Sequence, residues 1–159
     1  MAPRVIGPTI ALNELFDECL GLIGHDDAHE RCSEAVRATL GLHRRAIALK
    51  YDSEVTASVL RSAAGLTMAV VPRAPGKAST PHAPGTWTVM AMLVGDEEVA
   101  VYERDGGHLR ERRRFHIDQG IVAALPDDAI HATGNAGASY CVELRLHGCA
   151  LEEIDGGVR

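Results

Sequence analysis

The chain has 159 residues, enough for one good hydrophobic core, and its 46% hydrophobic and 24% charged content is that of a soluble globular protein. A formal net charge of −6 excludes a general nucleic-acid or anionic-membrane binder, since both need a basic face. No apolar run approaches the ~20 residues that span a bilayer, and the N-terminus MAPRVIGPTIA lacks the pattern of a secretory signal. Cys19, Cys32, Cys141 and Cys149 form no C-x-x-C pair or compact framework, so free thiols and a cytoplasmic location are expected.

In chain order, Thr9 is placed to cap a helix with apolar residues at Leu12, Leu15, Phe16, Cys19, Leu22 and Ile23, and Gly24 to stop it. Asp26 or Asp27 starts a second helix, with Ala28, Cys32, Ala35, Val36 and Leu40 on one stripe and Gly41 at its end. A third helical turn uses Leu42 to Tyr51. From about Val55 the character changes. Val55–Ser62 and Leu66–Arg73 read as a hairpin, followed by strands at Trp87–Val94, Glu97–Arg104, His108–Ile117, Ile121–Leu125, Ala129–Thr133 and Ser139–His147. Short strands at regular spacing mean a sandwich or barrel rather than a βαβ layout. The expected organisation is mainly β: one domain over 1–159, with a helical cap over about 1–52 and a barrel over about 53–151. The arginines Arg110, Arg112, Arg113 and Arg114, with His108 and His116, read as a solvated hairpin edge, and the tail Glu152–Arg159 is expected to fray.

Two stretches stand out. The first, GKASTPHAPGTWTVMAMLVG, runs from Gly76 to Gly95 and places His82 after its opening glycine with five residues between. In the second, Gly120, Pro126, His131 and Asn135 follow at five, four and three intervening residues. These spacings resemble the paired motifs of the cupin superfamily, a double-stranded β-helix (jelly-roll barrel) that usually holds a metal ion. In the first motif Pro84 replaces the second histidine of His-x-His and Thr88 replaces the glutamate.

Within that superfamily the stretch from about Val55 to Leu151 is similar to the cysteine dioxygenase-like branch of thiol dioxygenases. The similarity lies in Thr80-Pro81-His82, Gly85-Thr86-Trp87, Leu125-Pro126, Ile130-His131 and a polar alternating last strand. It implies a three-histidine ferrous iron centre without glutamate, with His82 and His131 as ligands. It also implies a last-strand relay, onto which Glu143, Arg145 and His147 fall by register. His147, near the vacancy left by Pro84, is then a replacement ligand or an acid–base group. The family's early-strand arginine is missing from Val55–Leu60, Arg61 being off register, and Val89 stands near its cross-linking cysteine.

From the residues alone, Cys141, Glu143, Arg145 and His147 form the water-facing side of the last strand, with Tyr140, Val142, Leu144 and Leu146 in the core. Met90 and Met92 share the parity of His82 and are expected as core packing, and Trp87 is expected to pack the barrel against the helices. The expected function is a metal-dependent cupin enzyme, ferrous iron being the first choice of ion. It would be a dioxygenase-like oxidoreductase acting on a small thiol- or amine-bearing substrate, assembled as a homodimer. The alternatives are a metal-free cupin working by acid–base chemistry and a non-catalytic small-molecule-binding barrel.

Overall fold

The computed structural model describes residues 6–154. Two helices, α1 (Pro8–Leu22) and α2 (Ala28–Tyr51), precede eight strands. These are β1 (Ser58–Ala63), β2 (Leu66–Arg73), β3 (Thr88–Val94), β4 (Glu97–Asp105), β5 (His108–Ile117), β6 (Val122–Leu125), β7 (Ile130–Gly134) and β8 (Cys141–His147). The strands form a five-stranded sheet in the order β1-β2-β8-β3-β6 and a three-stranded sheet in the order β5-β4-β7. All pairings within the two sheets are antiparallel.

The helices depart from expectation in two places. Gly7, not Thr9, is the N-cap of α1, because Pro8 occupies the first turn, where its fixed φ and missing N–H suit a helix start. Gly41 does not stop the second helix: α2 runs on to Tyr51, merging the two pieces read separately. A mid-helix glycine costs about 1 kcal/mol relative to alanine, and burial of Ile47, Ala48 and Tyr51 beyond it outweighs that.

Both faces of the five-stranded sheet are covered. On one, Leu66, Met68 and Val70 of β2, Val89, Ala91 and Leu93 of β3, and Val142, Leu144 and Leu146 of β8 pack against Leu15, Phe16, Val36 and Ile47 of the helices. Trp87 joins this cluster half-buried, as expected, and a Cβ at Gly148 would overlap its indole. Arg37 Nη2 donates to the Val122 carbonyl (3.3 Å) and Arg44 Nη1 to the Leu93 carbonyl (3.4 Å), tying α2 to the sheet. The other face looks into the barrel, where Met90, Met92, Val99, Ile117, Leu125 and Cys141 form a second, smaller cluster.

The outer strand β5 is exposed along nearly its whole length, and Arg110, Arg112 and Arg114 pair with acids on β4 and β5. The tail expected to fray forms a 3₁₀ turn over Leu151–Glu153, and residues 155–159 lie outside the described part. All four cysteines are free thiols. Among the described residues no helix is long and apolar enough to cross a membrane.

Candidate functional site

Three glycines of the two motif frames, Gly76, Gly95 and Gly120, have φ of 74°, 72° and 86°, a region that side-chain-bearing residues rarely adopt. They turn the chain so that the segment after Gly76 lies along β7. Ala78 bridges Gly134 and His82 bridges His131. His82 and His131 exchange both backbone hydrogen bonds, each at 3.0 Å. Prolines 81 and 84 lack an N–H and keep this segment from becoming a regular strand. The bridge sets the two rings side by side, with centroids 5.0 Å apart and planes tilted by 42°.

β8 supplies the rest, and here the residue-level expectation is overturned. The face carrying Cys141, Glu143, Arg145 and His147 does not meet water; all seven residues of the strand are buried. The cause is the strand's position. β8 lies at the centre of its sheet, paired with β2 and β3, so its apolar face is covered by the helices and its polar face by the barrel. Tyr140, assigned to the core, precedes the strand and is exposed. Register then places Met92 opposite Glu143, Met90 opposite Arg145, and Thr88 and Thr67 opposite His147.

Thr88, at the position of the motif glutamate, has its Oγ1 3.2 Å from His147 Nδ1. That contact orients the ring and leaves Nε2 with no hydrogen-bond partner among the described residues. His131 has neither ring nitrogen partnered there. His82 Nδ1–H donates to the Thr80 carbonyl (2.9 Å), which makes Nε2 the lone-pair nitrogen of the neutral ring. Burial, reinforced by the Arg145 charge, lowers His131 to about 4 and His147 to about 3, so both are neutral imidazoles at pH 7.

Behind the histidines lies a buried ionic network. Arg145 Nε and Nη2 donate to Glu143 Oε1 (2.5 Å) and Oε2 (2.8 Å), both side chains being 0% exposed. Arg73 Nε reaches Glu97 Oε1 (3.4 Å), and its Nη2 donates to Thr133 Oγ1 (2.7 Å). The Cys141 thiol also points to Glu97 Oε1 (3.4 Å). Burial, then the neighbouring Glu143 charge, pushes Glu97 up to about 9. Burial pushes Glu143 the same way, but Arg145 outweighs it and holds that carboxyl below its usual value. Arg73 and Glu97 escaped the sequence reading. The available signal was register: Arg73 pairs with Cys141 and so shares the inward face. Arg61, by contrast, turns outward to Asp17 and over the Phe16 ring.

Among the described residues, the set whose ligand atoms all lie within 4.8 Å of one another is Asp96, His116 and Asp118, at the exposed start of β4 and end of β5. The three barrel histidines are not drawn together to that degree. A cleft of about 580 Å³ opens where the α1–α2 turn meets the barrel rim beyond β8, lined by His29, Trp87, Asp127, Asp128 and Cys149 among others.

The sequence matches no family model and no curated protein. Solved structures do match. The Bacillus halodurans protein BH2720 aligns with a TM-score of 0.59 at 11% identity, over 70% of this chain and 83% of its own. An RmlC-like cupin family protein with a double-stranded β-helix fold, from Methanocaldococcus jannaschii, aligns with a TM-score of 0.51 at 9% identity, over 62% of this chain and 84% of its own. At such identities the likeness concerns the fold alone, a cupin-type double-stranded β-helix, which in this chain follows two N-terminal helices.

Proposed function

We propose that the chain is a metal-dependent small-molecule cupin enzyme in which His82, His131 and His147 hold one divalent ion inside the barrel. One observation carries this reading: the buried, neutral imidazoles of His131 on the second motif and His147 on the last strand have ring nitrogens without hydrogen-bond partners among the described residues, His147 being held by Thr88 through its other nitrogen, and the half-buried His82 ring lies beside that of His131. A ligating histidine characteristically uses one nitrogen for the metal and anchors the other on a neighbouring polar group. His147 thereby takes over from the histidine that Pro84 displaced, and Thr88 changes from the place of a ligand to a support for one. Ferrous iron is the ion of this reading, following the likeness to thiol dioxygenases, and would supply a redox-active Lewis acid. The chain's own residues do the remaining work. The barrel walls exclude water, Arg145 orients the substrate, and Glu143 fixes Arg145 by a two-point hydrogen bond. The substrate class is a small thiol- or amine-bearing molecule.

The spread of the three histidines favours a second reading, a metal-free barrel working by acid–base chemistry. Elemental mass spectrometry separates the two, on untagged protein offered ferrous iron without oxygen. The metal reading expects near one ion per chain, lost in His82→Ala and His131→Ala and reduced in His147→Ala. Absence of retained iron, manganese or zinc from the wild type would refute it.

A further inference from the structure

The helices α1 and α2 are joined by a short turn, and two thiols meet behind it. Cys19 stands in the last turn of α1 and Cys32 in the second turn of α2, at one level of the helical pair. Both are 0% exposed, within the apolar cluster that contains Phe16 and Val36. The Cys32 Sγ lies 3.8 Å from the Cys19 carbonyl oxygen, and the two thiols hydrogen-bond to each other. The other two thiols have oxygen partners instead: Cys141 faces Glu97 and the Arg73 carbonyl, and Cys149 the Thr86 hydroxyl.

The pair has an uneven acid–base character. Hydrogen bonding to the Cys32 sulfur, then burial, raises Cys19, whereas the same hydrogen bond lowers Cys32. Cys32 is therefore the first of the two to ionise, and a thiolate is the form that attacks an oxidant. The surroundings decide how far oxidation runs. A sulfinate here would be a charge among apolar side chains, which the interior penalises heavily, while a disulfide is neutral and apolar. Cys149, half-buried at the cleft, carries no such restriction.

We propose that Cys19 and Cys32 are a peroxide-responsive modification site, a dithiol that closes to a disulfide and clasps α1 to α2. The Cys32 thiolate attacks one peroxide oxygen; the O–O bond breaks and the leaving hydroxide takes the Cys19 proton as water. Cys19 then attacks the Cys32 sulfenic sulfur. The S–O bond breaks, and the departing hydroxide becomes water with the proton that Cys32 gave up on ionising. Two thiols and hydrogen peroxide thus give one disulfide and two waters, two electrons passing from the sulfurs to the peroxide. Access comes from fraying at the helix ends, where Asp27, the N-cap of α2, makes no side-chain capping hydrogen bond. The bond closes a loop over residues 20–31, of which Ile23, His25 and His29 wall the cleft at the barrel rim. Oxidation thereby holds that wall in place.

The test is peptide mass spectrometry on folded protein treated with hydrogen peroxide beside a chelator, then denatured and alkylated with N-ethylmaleimide. The expected product is a peptide pair joined through Cys19 and Cys32. The thermal midpoint of the oxidised protein should rise by roughly 5 °C, because the bond restricts the unfolded chain. Cys19→Ala and Cys32→Ala, each apolar in an apolar cluster, should lose both the link and the rise, while Cys149→Ala keeps both. Should either cysteine variant fail to fold, the wild-type map and melt decide the matter alone. Full oxidation of Cys149 while Cys19 and Cys32 still alkylate would overturn the proposal. So would a dominant link from either residue to Cys141 or Cys149, or a linked protein that melts no higher than the reduced one.

Discussion

The two faces of β8 are built from alternate residues of one strand, equally buried, and stabilised in opposite ways. Val142, Leu144 and Leu146 meet the helices through dispersion and water exclusion alone. Glu143, Arg145 and His147 meet the barrel through directed hydrogen bonds and charge, with several polar atoms left over. An apolar face tolerates small losses because neighbours relax into them; an ionic face does not, because a charge left without its partner stays uncompensated. The helical side thus serves stability, while the barrel side leaves buried polar atoms unsatisfied at a cost in stability.

The sharpest way to break this contrast is Arg145→Met. It strands Glu143 in the interior and should cost about 4 kcal/mol in urea denaturation, whereas Glu143→Leu/Arg145→Met together should recover most of the loss. If the single variant is no less stable than the double, the pair is not the ionic unit described. On the opposite face Leu144→Ala should cost about 3 kcal/mol by the same measurement, leaving metal content unchanged.

Glu97→Gln sharpens the comparison through pH. The folded carboxyl is raised to about 9 from 4.5, so its contribution to stability is fully present below about pH 4.5 and drains away as pH rises through about 9. The glutamine variant should lack that slope, and parallel stability–pH curves for the two proteins would contradict the assignment. The smallest effect is expected at Arg114→Ala on the exposed β5, where the denaturation midpoint should not move measurably despite its pairing with Glu98 and Glu111.

Much of the fold was legible in the residues because the signals were local. Turn glycines and β-branched runs bounded β2 and β5 at the residues observed, and the motif glycines fixed the frame that brings His82 to His131. What failed had non-local causes. Gly41 reads as a stop, yet the sheet beneath α2 rewards continuation. The alternation of β8 reads as half-exposed because a strand cannot announce that both its faces will be covered. Arg73 and Glu97 carried no motif; only the pairing of β2 with β8, and of β4 with its neighbours, turned them inward.

The central position of β8 also bears on how the chain reaches this state. Its two neighbours, β2 and β3, are made long before it, yet hydrogen-bond to it rather than to each other. Until residue 147 has left the ribosome they are open edges with apolar faces, the most aggregation-prone condition a strand can be in. Synthesis beyond β7 is therefore the exposed interval in this protein's biogenesis. A released chain ending just before Cys141 should need chaperone protection that one ending after Leu151 does not.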